Sequence, residues 1–210
     1  MVSLVLALVA VVELACVARL CTRAAGPGRW ILVVVGVGLA YDSTAFAVGA
    51  LLGEGAVLHG LSVGRFVGHA VLTPLLVIWV GQRVFPALRR WSYALAAVLI
   101  LWGATELVHL ELTPRTYADT LRYVPATPSG PPLPALAVTV VLLIAGTALW
   151  RRRETPWPLV AAVALTVCSG AAFAVPPLGN IGEALLLAGL VTVPFQAHAP
   201  RIGVSTSAIE

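Results

Sequence analysis

Ionisable side chains set inside strongly apolar stretches are costly and mark functional sites by default. This chain carries several. Glu13 lies in one apolar run, and Tyr41, Asp42, Ser43 and Thr44 lie in a second. Ser62, Arg65, His69 and Thr73 share a third, Trp102, Glu106 and His109 a fourth, and Asn180 and Glu183 open the last. Helical spacing sorts them into faces. Ser62, Arg65, His69 and Thr73 step by three, four and four, so they form one stripe. Trp102, Glu106 and His109 form another, Asp42 shares a face with Phe46, and Asn180 shares one with Glu183. Each polar stripe is expected to face the interior of a helix bundle.

The chemistry open to this set is acid–base work in a dry pocket. A desolvated carboxyl keeps its proton near neutrality and can deliver it to an alkene or an epoxide. The aromatic residues Tyr41, Phe46, Phe66, Trp102 and Phe173 interleave with the acids, and the negative faces of such rings stabilise a cation. Other readings stay open beside this one. Arg65 can neutralise Asp42 or Glu106 and fix helix register. His69 can be a hydrogen-bonded helix contact. Glu106-x-x-His109 is half of a di-metal carboxylate motif, and Asp42 and His69 could complete a mixed oxygen and nitrogen site. Glu13 stands alone on its run, where structural pairing is the expectation.

The elements that must position these groups are transmembrane helices. The chain has 210 residues, 60% of them hydrophobic and 10% charged, with a mean hydropathy of +0.97. A soluble domain of this size cannot bury that much apolar surface, and disorder is excluded on the same ground. Seven stretches are long enough to cross a bilayer, at about 2–20, 31–52, 61–81, 91–110, 133–150, 157–175 and 182–198. The fold class is therefore an all-α integral membrane protein, a single seven-transmembrane-helix bundle over 1–210. The N-terminal run lacks a basic leader and is too long for a signal peptide.

All 13 basic residues are arginine. Without lysine there is no retinal or pyridoxal Schiff base and no P-loop. Ten arginines fall on one side of the spans and two, Arg115 and Arg122, on the other. The positive-inside rule then places the N-terminus outside and the C-terminus, with a tail over 199–210, in the cytoplasm of a multi-pass plasma-membrane protein. Such a distribution is not a nucleic-acid-binding face. Trp30, Trp91, Trp150 and Trp157 read as an interfacial belt. Gly36, Gly38, Gly49, Gly64 and Gly68 permit close helix contacts.

From the 1.5 Å rise, Asp42 lies roughly 15 Å, His69 roughly 12 Å and Glu106 roughly 6 Å from the outer helix ends. The acids are thus expected to line a pocket in the outer half, and no polar path to the cytoplasmic side is evident, which disfavours a channel or pump. The loop over 111–132 is proline-rich and cannot form a long helix; it is either a lid or, more commonly, a tether. Glu54 and His59 are expected to be solvated, and Gln196 and His198 interfacial. Cys16, Cys21 and Cys168 have no metal spacing and no expected disulfide. The arginine-only, Ala/Val-rich usage points to a GC-rich bacterial genome.

Seven spans in about 210 residues, an acid in the middle of the second span (Tyr41-Asp42-Ser43-Thr44-Ala45-Phe46) and another at the start of the seventh (Gly179-Asn180-Ile181-Gly182-Glu183) resemble the membrane-integral terpene cyclases. These include fungal meroterpenoid cyclases and bacterial indole-sesquiterpene cyclases. The resemblance implies cofactor-free isomerising cyclisation of a prenylated lipophilic substrate, begun by protonation of an alkene or epoxide. It matches the family's two acids to Asp42, the preferred proton donor, and Glu183, the second acid or final base; on the reading of the residues themselves, Glu106 and His69 would orient or tune them. Tyr41, Phe46, Arg65, Phe66, Trp102, His109 and Asn180 would line the pocket. Fungal members carry Glu where this chain has Asp42, and the Arg65/His69 pair has no counterpart in the family pattern. No Asp-rich diphosphate motif is present. The rivals are a metal-dependent membrane hydrolase or lipid-modifying enzyme built on Asp42, His69, Glu106 and His109, a small-molecule transporter, and a structural membrane protein.

Overall fold

A computed structural model describes residues 1–23, 26–127 and 132–194. Helices α1 (Val2–Thr22), α2 (Arg29–Leu52), α3 (Ala56–Leu72) and α4 (Leu75–Arg83) come first. A short 3₁₀ turn (Pro86–Leu88) leads into α5 (Arg89–Val108), followed by strands β1 (Leu112–Tyr117) and β2 (Thr120–Pro125). The chain then continues through α6 (Leu133–Arg151), α7 (Trp157–Ala171) and α8 (Pro177–Val191). Helices α3 and α4 make one rod, Ala56–Arg83, interrupted at Thr73 and Pro74, where proline cannot donate to the helix ladder. The described residues thus form seven helical rods.

Five rods are long and apolar enough to cross a membrane; α7 and α8, at 15 residues each, are shorter. At 1.5 Å per residue these two reach about 22 Å. The last rod also starts earlier than the sequence predicts. Pro176 and Pro177 look like a loop, yet proline at the first helical position is pre-set for a helix, so α8 opens at Pro177 and takes in both Asn180 and Glu183. Gln196, His198, Arg201 and the 199–210 tail lie outside the described residues.

Helix α2 is the central element, touching α1, α3, α4 and α8, while α5, α6 and α7 complete the wall from α3 round to α8. Its buried face is rich in Gly, Ala and Ser, which lets neighbours approach closely. The wall helices turn large apolar side chains outward, among them Leu8, Val11, Leu101, Val140 and Val167. An outward apolar surface of that extent suits lipid rather than water.

The two ends of the bundle differ. At one end Trp30, Trp91, Trp150 and Trp157 are all exposed, alongside the arginine clusters. Several arginines there cap helix C-termini, where carbonyls lack partners. Arg23 donates to the Val191 carbonyl, Arg152 to that of Val84 at 2.8 Å, and Arg83 to that of Pro194 at 2.9 Å. Arg83 also pairs with Glu154 at 2.7 Å.

The opposite end is closed by a β-hairpin, where the sequence offered a lid or a tether. Its strands pair antiparallel, with Arg115 opposite Arg122 and Tyr117 opposite Thr120. Proline did exclude a long helix, but a two-stranded ribbon has free edges where Pro114 and Pro125 need not donate. The ribbon is packed down: the Tyr123 N–H donates to Ser62 Oγ at 3.3 Å, and the Asp119 carboxylate accepts from the Val2 N–H at 2.7 Å. His59 is exposed, as expected, and meets the Tyr123 ring edge-on at 5.1 Å.

Two apolar cores result. The larger, around Leu20, Leu32, Trp79, Val84, Leu142 and Leu187, fills the arginine-rich half. A small one, Leu6, Phe46 and Ala47, lies under the hairpin. The buried polar residues of α1, α2 and α8 (Glu13, Asp42, Ser43 and Asn180) fall between the two along the chain.

Candidate functional site

Asp42 is the hub of the polar layer. It is 3% exposed, on the central helix. Its Oδ1 accepts from Arg65 Nε, and its Oδ2 accepts from Arg65 Nη2 at 3.3 Å and from Asn180 Nδ2. Asn180 also donates to Ser43 Oγ at 3.3 Å. A guanidinium meeting a carboxylate in this two-pronged way fixes its geometry as well as its charge. The pair joins α2 to α3, and the amide joins both to α8.

His69 links this pair to a second acid. Its Nε2 lies 3.6 Å from Asp42 Oδ1, and its Nδ1 lies 3.8 Å from Glu183 Oε1. The imidazole therefore sits between two carboxylates, one already neutralised by Arg65. Among the described residues, the Oε2 of Glu183 has no hydrogen-bond partner, and neither does either oxygen of Glu13, which is fully buried. Glu13 packs beside the Ser43 side chain of α2 and, among the described residues, has no ion-pair partner. An orphaned buried carboxyl oxygen is costly unless it serves the site.

A groove of about 580 Å³ opens between α2 and α3 and ends on Arg65 and His69. Its walls are apolar, chiefly Val34, Val37, Val67, Val71 and Leu72, and Tyr41 stands at its upper edge. Tyr41 donates to the Leu61 carbonyl at 2.8 Å, bracing α2 on α3. Gly64 and Gly68 have different uses: a Cβ on Gly64 would strike the Tyr41 hydroxyl, whereas one on Gly68 would meet nothing. Gly68 thus leaves the groove open. Counted along α2 and α3, the groove runs from the polar layer toward the arginine-rich end, so the cavity lies on the side opposite to that expected from the sequence.

Several expected site residues are elsewhere. Trp102, Glu106 and His109 point away from the bundle and are exposed. The buried line of α5 is instead Ser92, Ala96, Leu99 and Gly103, because Gly103 lets this helix press against Ala70 of α3. Small residues rather than polar ones chose the packed face. Phe66 is half-buried, outside the groove lining, and Phe173 is 87% exposed. Phe46 is fully buried, but its ring already carries two cations: Arg122 at 4.6 Å and Arg65 at 5.5 Å from the ring centre. Of the aromatic wall, Tyr41 alone lines the groove.

Arg122 is the residue the sequence reading passed over. Its place in the loop over 111–132 suggests only a solvent-side charge, whereas the hairpin carries it onto Phe46. Burial, reinforced by the nearby Arg65, pushes its guanidinium down to about 10. The alternation of Thr, Tyr and Val around the turn Ala118–Asp119 was the available signal for that hairpin.

Asp42, His69 and Glu183 each offer one ligand atom, and these atoms lie within 4.8 Å of one another. As a metal site the trio is compromised by Arg65, which occupies both Asp42 oxygens and would set its positive charge beside the ion. Glu106 and His109 do not join it. What the site does offer is one fixed ion pair, one imidazole, one free carboxyl oxygen and an apolar approach. No protein-family model, curated protein or solved structure matches this chain.

Proposed function

We propose that the protein is a multi-pass membrane enzyme that cyclises a prenylated lipophilic substrate by protonation, with the substrate reaching the site sideways between α2 and α3. The observation that carries this reading is the apolar groove ending on His69 and Arg65, with Asp42 and Glu183 reached through His69 rather than lining the groove. Its valine-lined walls suit an isoprenoid chain, and its polar end suits proton transfer.

Roles follow from the contacts. A carboxylate held by a guanidinium and an amide is occupied as an acceptor and has no proton to give, so Asp42 is the frame rather than the donor. Glu183 is the donor. Its proton passes through His69, which lines the groove, to the terminal alkene carbon, leaving a tertiary carbocation; for an epoxide it goes to the ring oxygen as the C–O bond breaks. The internal double bonds close the rings with their own electron pairs. The last cation loses a proton to His69, which returns it to Glu183. Atoms and charge balance, and the product is an isomer of the substrate.

The test is mass spectrometry of membranes expressing the chain, fed farnesylated indoles and phenols. A product of unchanged mass and altered retention is expected, at least 100-fold reduced in Glu183→Gln, a magnitude typical of losing a positioned acid. Absence of such a product overturns the reading.

A second reading has its own support in the 4.8 Å cluster: a metal-dependent hydrolase using Asp42, His69 and Glu183. It requires Arg65 to give up the Asp42 carboxylate. Metal analysis of the purified protein separates the two, since a stoichiometric, chelator-sensitive metal belongs only to the second.

A further inference from the structure

The hairpin sets Arg115 and Arg122 directly opposite one another. Opposed residues of an antiparallel pair project from the same face with their Cβ atoms about 5 Å apart. Two cations placed so repel each other, and among the described residues neither has a carboxylate within ion-pair distance. Arg122 is in addition partly buried over Phe46, above the ring that Arg65 also touches. A ribbon built only to close the bundle would be better served by opposite charges at this register. Two arginines at opposed positions of a ribbon can instead grip one tetrahedral oxyanion between them.

We propose that Arg115 and Arg122 form an anion subsite at the hairpin end that holds a phosphate group, carried by a lipophilic molecule whose chain lies in the bundle or the adjoining lipid. This goes beyond the lipophilic-substrate reading: the groove runs from the polar layer away from the hairpin, so the subsite takes a second, phosphate-bearing lipophile and not the chain lying in the groove. The same chemistry is offered by the headgroup of an anionic bilayer lipid.

The test is isothermal titration of the full chain in neutral detergent with farnesyl monophosphate, farnesol and inorganic phosphate, repeated with phosphatidylglycerol as competitor. Farnesyl monophosphate should bind at least 10-fold more tightly than farnesol. That gain should weaken with added salt and disappear in both Arg115→Gln and Arg122→Gln. Arg115 is exposed and does not touch Phe46 in the way Arg122 does, so R115Q separates anion binding from packing should R122Q fold poorly. Displacement by phosphatidylglycerol assigns the subsite to a lipid headgroup; retention of the prenyl phosphate in its presence assigns it to a free prenyl phosphate. Equal binding of farnesol and its phosphate, or unchanged binding in R115Q, overturns the proposal. Because the readout is affinity, it fails separately from the cyclisation assay.

Discussion

Asp42 is bonded by Arg65 and Asn180 and approached by His69, so its substitution acts on three helices together. Asp42→Asn leaves a guanidinium largely buried without its counter-charge, and breaking such a pair costs about 3–5 kcal/mol. Thermal unfolding in detergent should therefore fall sharply for Asp42→Asn and little for Glu183→Gln, whose Oε2 has no partner to lose. Equal melting losses in the two variants would remove the distinction between frame and donor. The two acids are thus separated by their neighbours rather than by residue type. Both were visible in the sequence as acids within apolar runs. Which of them is held by arginine was not, because the three helices concerned are far apart along the chain.

At the scale of the elements, α2 and α3 decide where a ligand can lie. Their contact is made by Tyr41 against Gly64, and it opens at Gly68. A larger side chain at Gly68 enters open space, so Gly68→Leu should fill the groove without loss of stability, since leucine is the better helix former by somewhat under about 1 kcal/mol. Binding of the proposed prenylated substrate should drop at least 10-fold while the melting temperature holds. Unchanged binding would place the substrate elsewhere. Gly49 is the contrasting position: a Cβ there would lie 1.8 Å from the Leu121 carbonyl oxygen, so the hairpin can dock only over glycine. In the structure Asp42 and Phe46 are buried on α2, and Ser62, Arg65 and His69 of the α3 stripe lie buried or half-buried. The sequence misplaced α5, since Trp102, Glu106 and His109 have the same helical spacing as a buried stripe, and periodicity alone does not say which side of a helix meets the bundle. The close fit of Gly103 to Ala70 says it.

For the whole molecule, the arginine asymmetry and the four exposed tryptophans mark one end, and the hairpin marks the other. The orientation proposed from the arginine bias puts the hairpin outside the cell. With Cys16, Cys21 and Cys168 replaced by alanine, a membrane-impermeant maleimide should label Ala126→Cys on intact cells and Arg153→Cys only after permeabilisation. The reverse pattern would invert the assignment. The same arginines serve the fold as well, since Arg23, Arg83 and Arg152 cap carbonyls at the ends of neighbouring helices.

The amino-acid sequence by itself determined the all-α architecture, the positions of the apolar helices and the set of polar residues that interrupt them. Those follow from composition and from periods of three and four, which are local properties. Tertiary structure decided which polar residues meet. It joined Asp42, Arg65, His69, Asn180 and Glu183 across three helices, excluded Glu106 and His109, and set Arg122 over Phe46. The physical reason is that helix faces are selected by close packing of small residues such as Gly49, Gly64 and Gly103 against distant partners. That fit depends on shapes brought together from far along the chain, and no local pattern encodes it.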